Sequence, residues 1–102
     1  MNMIQFNELK KRVLDFSECR TWDEIHGLIQ DELELPEWYG QNLAALWDSL
    51  TGIMYVPADV TIIYRPEATK RSEEVADDIR KIITIFERAV TKYNEITLSV
   101  DM

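Results

Sequence analysis

The sequence predicts an α/β fold: a small, largely parallel sheet covered by helices. Three short apolar or β-branched runs are separated by segments of helical periodicity, in the order βααβ(α)αβ. Strands separated by helices favour parallel pairing, because parallel neighbours need crossover connections. At 102 residues and 46% hydrophobic content, the chain suffices for one compact core and is too short for two ordinary domains. Residues 1–102 are therefore read as a single domain, with 1–10 as a short N-terminal extension.

The first strand is placed at 11–16, where Val13, Leu14 and Phe16 supply the apolar content. Thr21-Trp22-Asp23-Glu24 reads as a capping box, in which the Thr21 hydroxyl and the Glu24 carboxylate each satisfy a free N–H at a helix start. A helix follows over 22–34, with Trp22, Ile25, Ile29 and Leu33 as its buried stripe, and Pro36 ends it. Residues 35–40 form a loop in which Pro36 removes a donor and Gly40 permits a positive φ. A second helix is expected over 42–51, with Gln41 or Asn42 near its N-cap and Gly52 as its stop.

Residues 59–64 are β-branched and apolar, as in a buried strand. A polar connection over 65–71, with room for one helical turn, leads to the longest helix, which opens at Ser72-Glu73-Glu74 and reaches Tyr93. On it, Val75, Ile79, Ile82, Ile83, Phe86, Val90 and Tyr93 share one face. The final run, 95–100, alternates as a strand should.

The net charge of −8 is unevenly distributed. No Lys or Arg lies between Arg20 and Arg65, an interval that holds Asp23, Glu24, Asp31, Glu32, Glu34, Glu37, Asp48 and Asp59. Elsewhere eleven acids face eleven basic residues and cancel, so the surplus belongs to one segment. Such a field repels nucleic acid and anionic lipid and steers a basic partner inward at low salt. A solubilising surface is the plainer reading of the charge alone. No apolar run is long enough to span a membrane and the start lacks a secretory pattern. With Cys19 as the one cysteine, a soluble cytoplasmic protein is expected.

Enzyme chemistry is poorly supplied. The single His26 falls among the apolar residues of the first helix, where a hydrogen-bonded core histidine is a better reading than a catalytic group or metal ligand. One His and one Cys make neither a zinc site nor a nucleophile pair, and three glycines make no phosphate-cradling loop. Glu73, Glu74, Asp77 and Asp78 open a helix whose dipole favours acids, and Asp77 can pair with Lys81 one turn on. No catalytic residue, metal or cofactor is assigned.

The second helix is more informative. At about 100° per residue, Leu43, Leu46 and Leu50 share a narrow apolar arc, with Trp47 at its edge and Thr51, Ala44 and Asp48 beyond it. An indole, a methyl, a hydroxyl and a carboxylate are thus displayed together, and Trp38 and Tyr39 in the preceding loop extend the patch. Large aromatics are common interface anchors because they bury much area with few rotors. Alternatively, the tryptophans complete the core and Asp48 is merely solvated. The missing positive charge around them favours an interface with a basic partner.

The stretch Leu35-Pro36-Glu37-Trp38-Tyr39-Gly40-Gln41-Asn42-Leu43-Ala44-Ala45-Leu46-Trp47-Asp48-Ser49-Leu50-Thr51-Gly52 resembles the barstar family of ribonuclease inhibitors. The likeness extends through the strand near Val13, the helix with His26, the strand before Tyr64 and the final Ile96-Thr97-Leu98. It implies a three-stranded parallel sheet with three to four helices, and a monomer that inhibits a barnase-like ribonuclease stoichiometrically, as an immunity protein does against a toxin. The second helix and its loop would occlude the basic active site, with Asp48 standing where substrate phosphate would. Trp38, Tyr39, Asn42, Ala44, Trp47, Thr51 and Gly52 match positions in or beside the family's contact region. Three positions depart: Ala44 replaces a second acidic contact, Ile53 a Trp, and Arg88 a Glu late in the last helix. The alternative is an acidic module of the same fold that binds a different basic partner.

Overall fold

The computed structural model describes residues 9–54, 56–93 and 95–102. In chain order the elements are β1 (Lys10–Asp15), α1 (Trp22–Glu32), α2 (Leu43–Asp48), a π-helical turn (Ser49–Ile53), β2 (Ala58–Ile63), a 3₁₀ turn (Pro66–Ala68), α3 (Glu73–Lys92) and β3 (Ile96–Asp101). The three strands pair in parallel in the order β1-β2-β3, with Arg12, Val60 and Leu98 in one row. The expected three-stranded parallel α/β fold is thus present. Of the expected extension at 1–10, residues 1–8 lie outside the described residues, and Lys10 already belongs to β1.

Strand order in the sheet follows strand order in the chain, so both crossovers travel in the same direction. The right-handed preference of such crossovers then sets the helices on one face. Leu14, Ala58, Val60, Ile62 and Ile96 point into that face and are buried, while Lys11, Val13, Thr97 and Ser99 lie on the other and are more open to solvent. Val13, expected among the apolar content of β1, is therefore 48% exposed.

Helices α1 and α3 cover the sheet through the stripe their spacing provides. Ile79, Ile82, Ile83, Phe86 and Ala89 of α3 are buried, and the Ser72 hydroxyl caps the helix by accepting from the Val75 N–H at 3.2 Å. Full burial of Phe86 stabilises the fold by roughly 2–3 kcal/mol. The predicted capping box of α1 is formed in full, and Ile25, Ile29 and Leu33 are buried. Trp22 is only partly covered, and His26 takes the remaining core position. The α3 acid Asp77 pairs with Arg80, one residue short of the expected Lys81.

Arg71 ties the connections at one end of the sheet together. Its guanidinium donates to the carbonyls of Ser17 at 2.6 Å, Cys19 at 2.8 Å and Pro66 at 3.0 Å, and lies 5.1 Å from the centre of the Tyr64 ring. Cys19 is packed as expected of a small apolar residue, and burial raises its thiol above the usual range.

Candidate functional site

Between α1 and β2 the described residues form a loop, the short helix α2 and the π-turn. Glu34 leaves α1 in the left-handed region, with φ 54°, and its carboxylate pairs with Arg12 on β1, which holds it below the usual carboxylate range. The Leu35 N–H donates to the Gln30 carbonyl at 3.0 Å, and Gln30 Nε2 donates to the Pro36 carbonyl at 2.8 Å. At the far end of the loop, Trp22 Nε1 donates to the Gln41 carbonyl at 2.8 Å. The loop is therefore anchored to α1 at both ends.

Within the loop the two adjacent aromatics part company. Trp38 is 71% exposed, whereas Tyr39 is 6% exposed and turns inward, its hydroxyl 2.7 Å from His26 Nδ1. The expectation of Tyr39 beside Trp38 as a surface anchor is corrected: the inward turn of the chain makes it core. His26 is packed between Trp22 and Tyr39, at ring-centre distances of 4.2 and 5.7 Å, and its Nε2 has no hydrogen-bond partner among the described residues. Burial lowers its pKa to about 4, so the ring is neutral near pH 7. The expected core histidine is present, satisfied at one nitrogen, and its coupling to Tyr39 is a positioning contact that spacing along α1 alone does not reveal.

Asn42 is the N-cap of α2: its Oδ1 accepts from the Ala45 N–H at 2.7 Å, settling the choice between Gln41 and Asn42. Gln41, not Gly40, carries the positive φ, at 52°. Gly40 is small for another reason, since a Cβ there would stand 3.2 Å from Ala45 Cβ. The α-helix ends at Asp48, three residues earlier than expected, and the chain continues as the π-turn, closed by the Met54 N–H on the Ser49 carbonyl at 2.8 Å. Wider π-turns are often found at functional sites. Gly52 lies within this turn without a positive φ, and a Cβ added to it would meet nothing within 4 Å, so neither backbone nor packing requires a glycine there.

The outward side of this unit carries Asn42, Ala44, Asp48 and Gly52 exposed, Trp47 and Thr51 half-buried, and Ile53 at 41% exposure. Leu46 and Leu50 are buried beneath it. The Thr51 hydroxyl donates to the Trp47 carbonyl at 2.8 Å, and the Asn42 amide donates to the Gly40 carbonyl at 3.2 Å, so both polar groups are partly engaged within the fold. The Asp48 carboxylate has no ion pair or hydrogen bond among the described residues. Except for Tyr39, the expected contact residues are thus on one accessible unit.

The carboxylates of the acidic segment are not all without partners. Glu24 is consumed in the α1 cap, Glu34 pairs with Arg12, and Asp59 accepts from Thr97 Oγ1 at 2.9 Å on the sheet. Asp48 stands out as an exposed carboxylate on the short helix with a half-buried indole next to it in the chain. Among the described residues, no cluster of His, Cys, Asp or Glu is fit to hold a metal, and no helix is long and apolar enough to cross a membrane.

A family model described as Barstar (barnase inhibitor) matches residues 9–101. A protein of Bacillus subtilis (strain 168) named "Putative ribonuclease inhibitor YrdF" is 29% identical over 75 residues, covering 74% of this chain and 82% of that protein.

Proposed function

This chain belongs to the barstar family, and from that premise we propose that it is a stoichiometric inhibitor of a basic, barnase-like ribonuclease. The observation that carries the reading is Asp48, an exposed carboxylate without an internal partner among the described residues, on a short helix held in place from behind. A nuclease active site must bind phosphate, so it presents cations to which a fixed carboxylate is complementary. Desolvated among them, Asp48 stands in for substrate phosphate. Trp38 and Trp47 supply apolar area around it, and Ala44 and Gly52 let the partner's surface approach closely. Tyr39 acts indirectly, by fixing the loop through His26.

The mechanism is occlusion. No covalent step, metal or cofactor is involved, and the protein acts in the cytoplasm as a single domain and a monomer, protecting the cell from nuclease that has not been exported. Titrating barnase with native protein and with Asp48→Ala tests the reading by RNA cleavage. Removing one partner of a desolvated charge pair costs about 3 kcal/mol or more, which is more than about a hundredfold in affinity. Equal inhibition by both proteins would remove Asp48 from the mechanism. Capture of a basic partner without nuclease activity would favour the alternative of an acidic module with a different target, a reading to which the exposed methyl of Ala44 lends support.

A further inference from the structure

Arg12 is out of keeping with its surroundings. On β1 it shares a row with Val60 and Leu98 and lies on the face that the helices cover, two residues before the buried Leu14. Its side chain is only 10% exposed, and its Nη1 meets the Glu34 carboxylate at 2.5 Å. Its Nε and Nη2 are buried and have no hydrogen-bond partner among the described residues. Burying so sparsely partnered a guanidinium disfavours the folded state, and an apolar side chain of similar volume would fill the same place at least as well. The core therefore does not call for an arginine here.

Glu34 is as unexpected at the other end of the pair. It follows the C-cap Leu33, and the N–H groups of Glu34 and Leu35 close α1 on the carbonyls of Asp31 at 3.3 Å and Gln30 at 3.0 Å. Glycine is the usual residue at that position, because the chain turns left-handed there; Glu34 does so with φ 54°, against the preference of any residue with a Cβ. Its side chain is 66% exposed and drawn back to β1 by Arg12, with a weaker pull from Lys10. The neighbours Leu33 and Leu35 are buried, but apolar contact has no direction and does not choose the dihedral between them. Among the described residues, the other hydrogen bonds that hold residues 34–41 from behind run to α1, so this ion pair is the segment's polar tie to the sheet. We propose that Arg12 and Glu34 are positioning residues for nuclease binding: together they fix the angle at which the chain leaves α1 for α2, at a cost in stability. The proposal rests on the inhibitor reading and deepens it, since the face that carries Asp48 is aimed by this turn.

Stability and inhibition should then part company. Arg12→Met keeps an unbranched chain in the buried row and removes the charge. Its unfolding midpoint in urea is expected at or above the native one. Its inhibition of barnase is expected to weaken about tenfold, as when the cost of one left-handed residue is no longer offset. Arg12→Met/Glu34→Gly is expected to recover inhibition, because glycine takes the left-handed region without help from an ion pair. Amide hydrogen exchange over residues 35–42 reads the same change without the nuclease: faster in Arg12→Met than in the native chain, and slowed again in the double variant. Glu34→Gln, at an exposed side chain, takes the place of Arg12→Met if that variant does not fold, with the same loss of inhibition expected. The proposal is overturned if Arg12→Met inhibits as tightly as the native chain, if its inhibition falls only in step with its midpoint, or if Glu34→Gly restores nothing. Loss of inhibition by Asp48→Ala in the same assay would then leave the inhibitor reading standing. If the native chain does not inhibit barnase at all, the inhibitor reading fails and the positioning role falls with it.

Discussion

Helices α2 and α3 are built on opposite terms. Over Glu73–Lys92, α3 has its own cap, its own apolar stripe and length enough to bury it against the sheet. Over Leu43–Asp48, α2 is too short to be stable alone. It is held instead by the Asn42 cap, the π-turn, and the contacts that fix its loop to Trp22, His26 and Gln30 of α1. The contrast shows how the exposed unit is positioned: the residues that fix it lie behind it and at its cap, and Ala44 and Asp48 on its outward side are left free of structural duty.

If this division holds, disturbing the buried face of α3 changes stability, disturbing α1 changes both stability and inhibition, and disturbing the outward side of α2 changes inhibition most. The largest stability effect is expected for Phe86→Ala, which opens a cavity under α3 and costs about 3–5 kcal/mol in denaturant unfolding. Acidification comes next. His26 has its pKa lowered from the ordinary 6.5 to about 4 by burial, so the fold favours the neutral ring. Its contribution is fully present above about pH 6.5 and is lost as pH falls through 4, amounting to roughly 3 kcal/mol. Unfolding measured between pH 7 and 4 should show this step in the native chain and lack it in His26→Gln.

Trp22→Phe removes the bond to the Gln41 carbonyl while keeping an aromatic ring, and is expected to cost about 1 kcal/mol of stability. Inhibition of barnase should weaken as well, because the loop entering α2 loses an anchor. An unchanged inhibition constant would mean that α1 does not position the site. The smallest stability effect is expected for Trp38→Ala, within about 0.5 kcal/mol, since the ring is exposed. Its effect is expected in weaker nuclease inhibition, and a fall in unfolding free energy with inhibition intact would reverse its assignment.

Legibility in the sequence follows the same division. The strands, the capping box of α1 and the stripe of α3 come from local pattern and periodicity, which tertiary packing only has to accept. The unit around α2 depends on contacts distant in sequence, and there a local reading is least complete. Tyr39 and Trp38 are adjacent and chemically alike, yet the bonds from Gln30 and Trp22 to the loop turn one inward and leave the other outside. The π-turn after Asp48 leaves no periodic signature in five residues. Gly40 is the natural place for a positive φ, but its smallness serves contact with Ala45 and Gln41 takes the unusual dihedral. Charge counted along the chain likewise overstates the unpaired acidic charge of the segment, because Glu34 pairs with Arg12 of β1.

The most direct test of the central claim is the inhibition constant of Asp48→Asn against barnase across a range of salt concentrations, with unfolding free energy measured in parallel. Asn keeps the size and removes the charge. The expected result is native stability, inhibition weakened more than about a hundredfold, and a flatter dependence on salt. Inhibition as tight as that of the native chain, with the same salt dependence, would contradict a carboxylate at the centre of the interface.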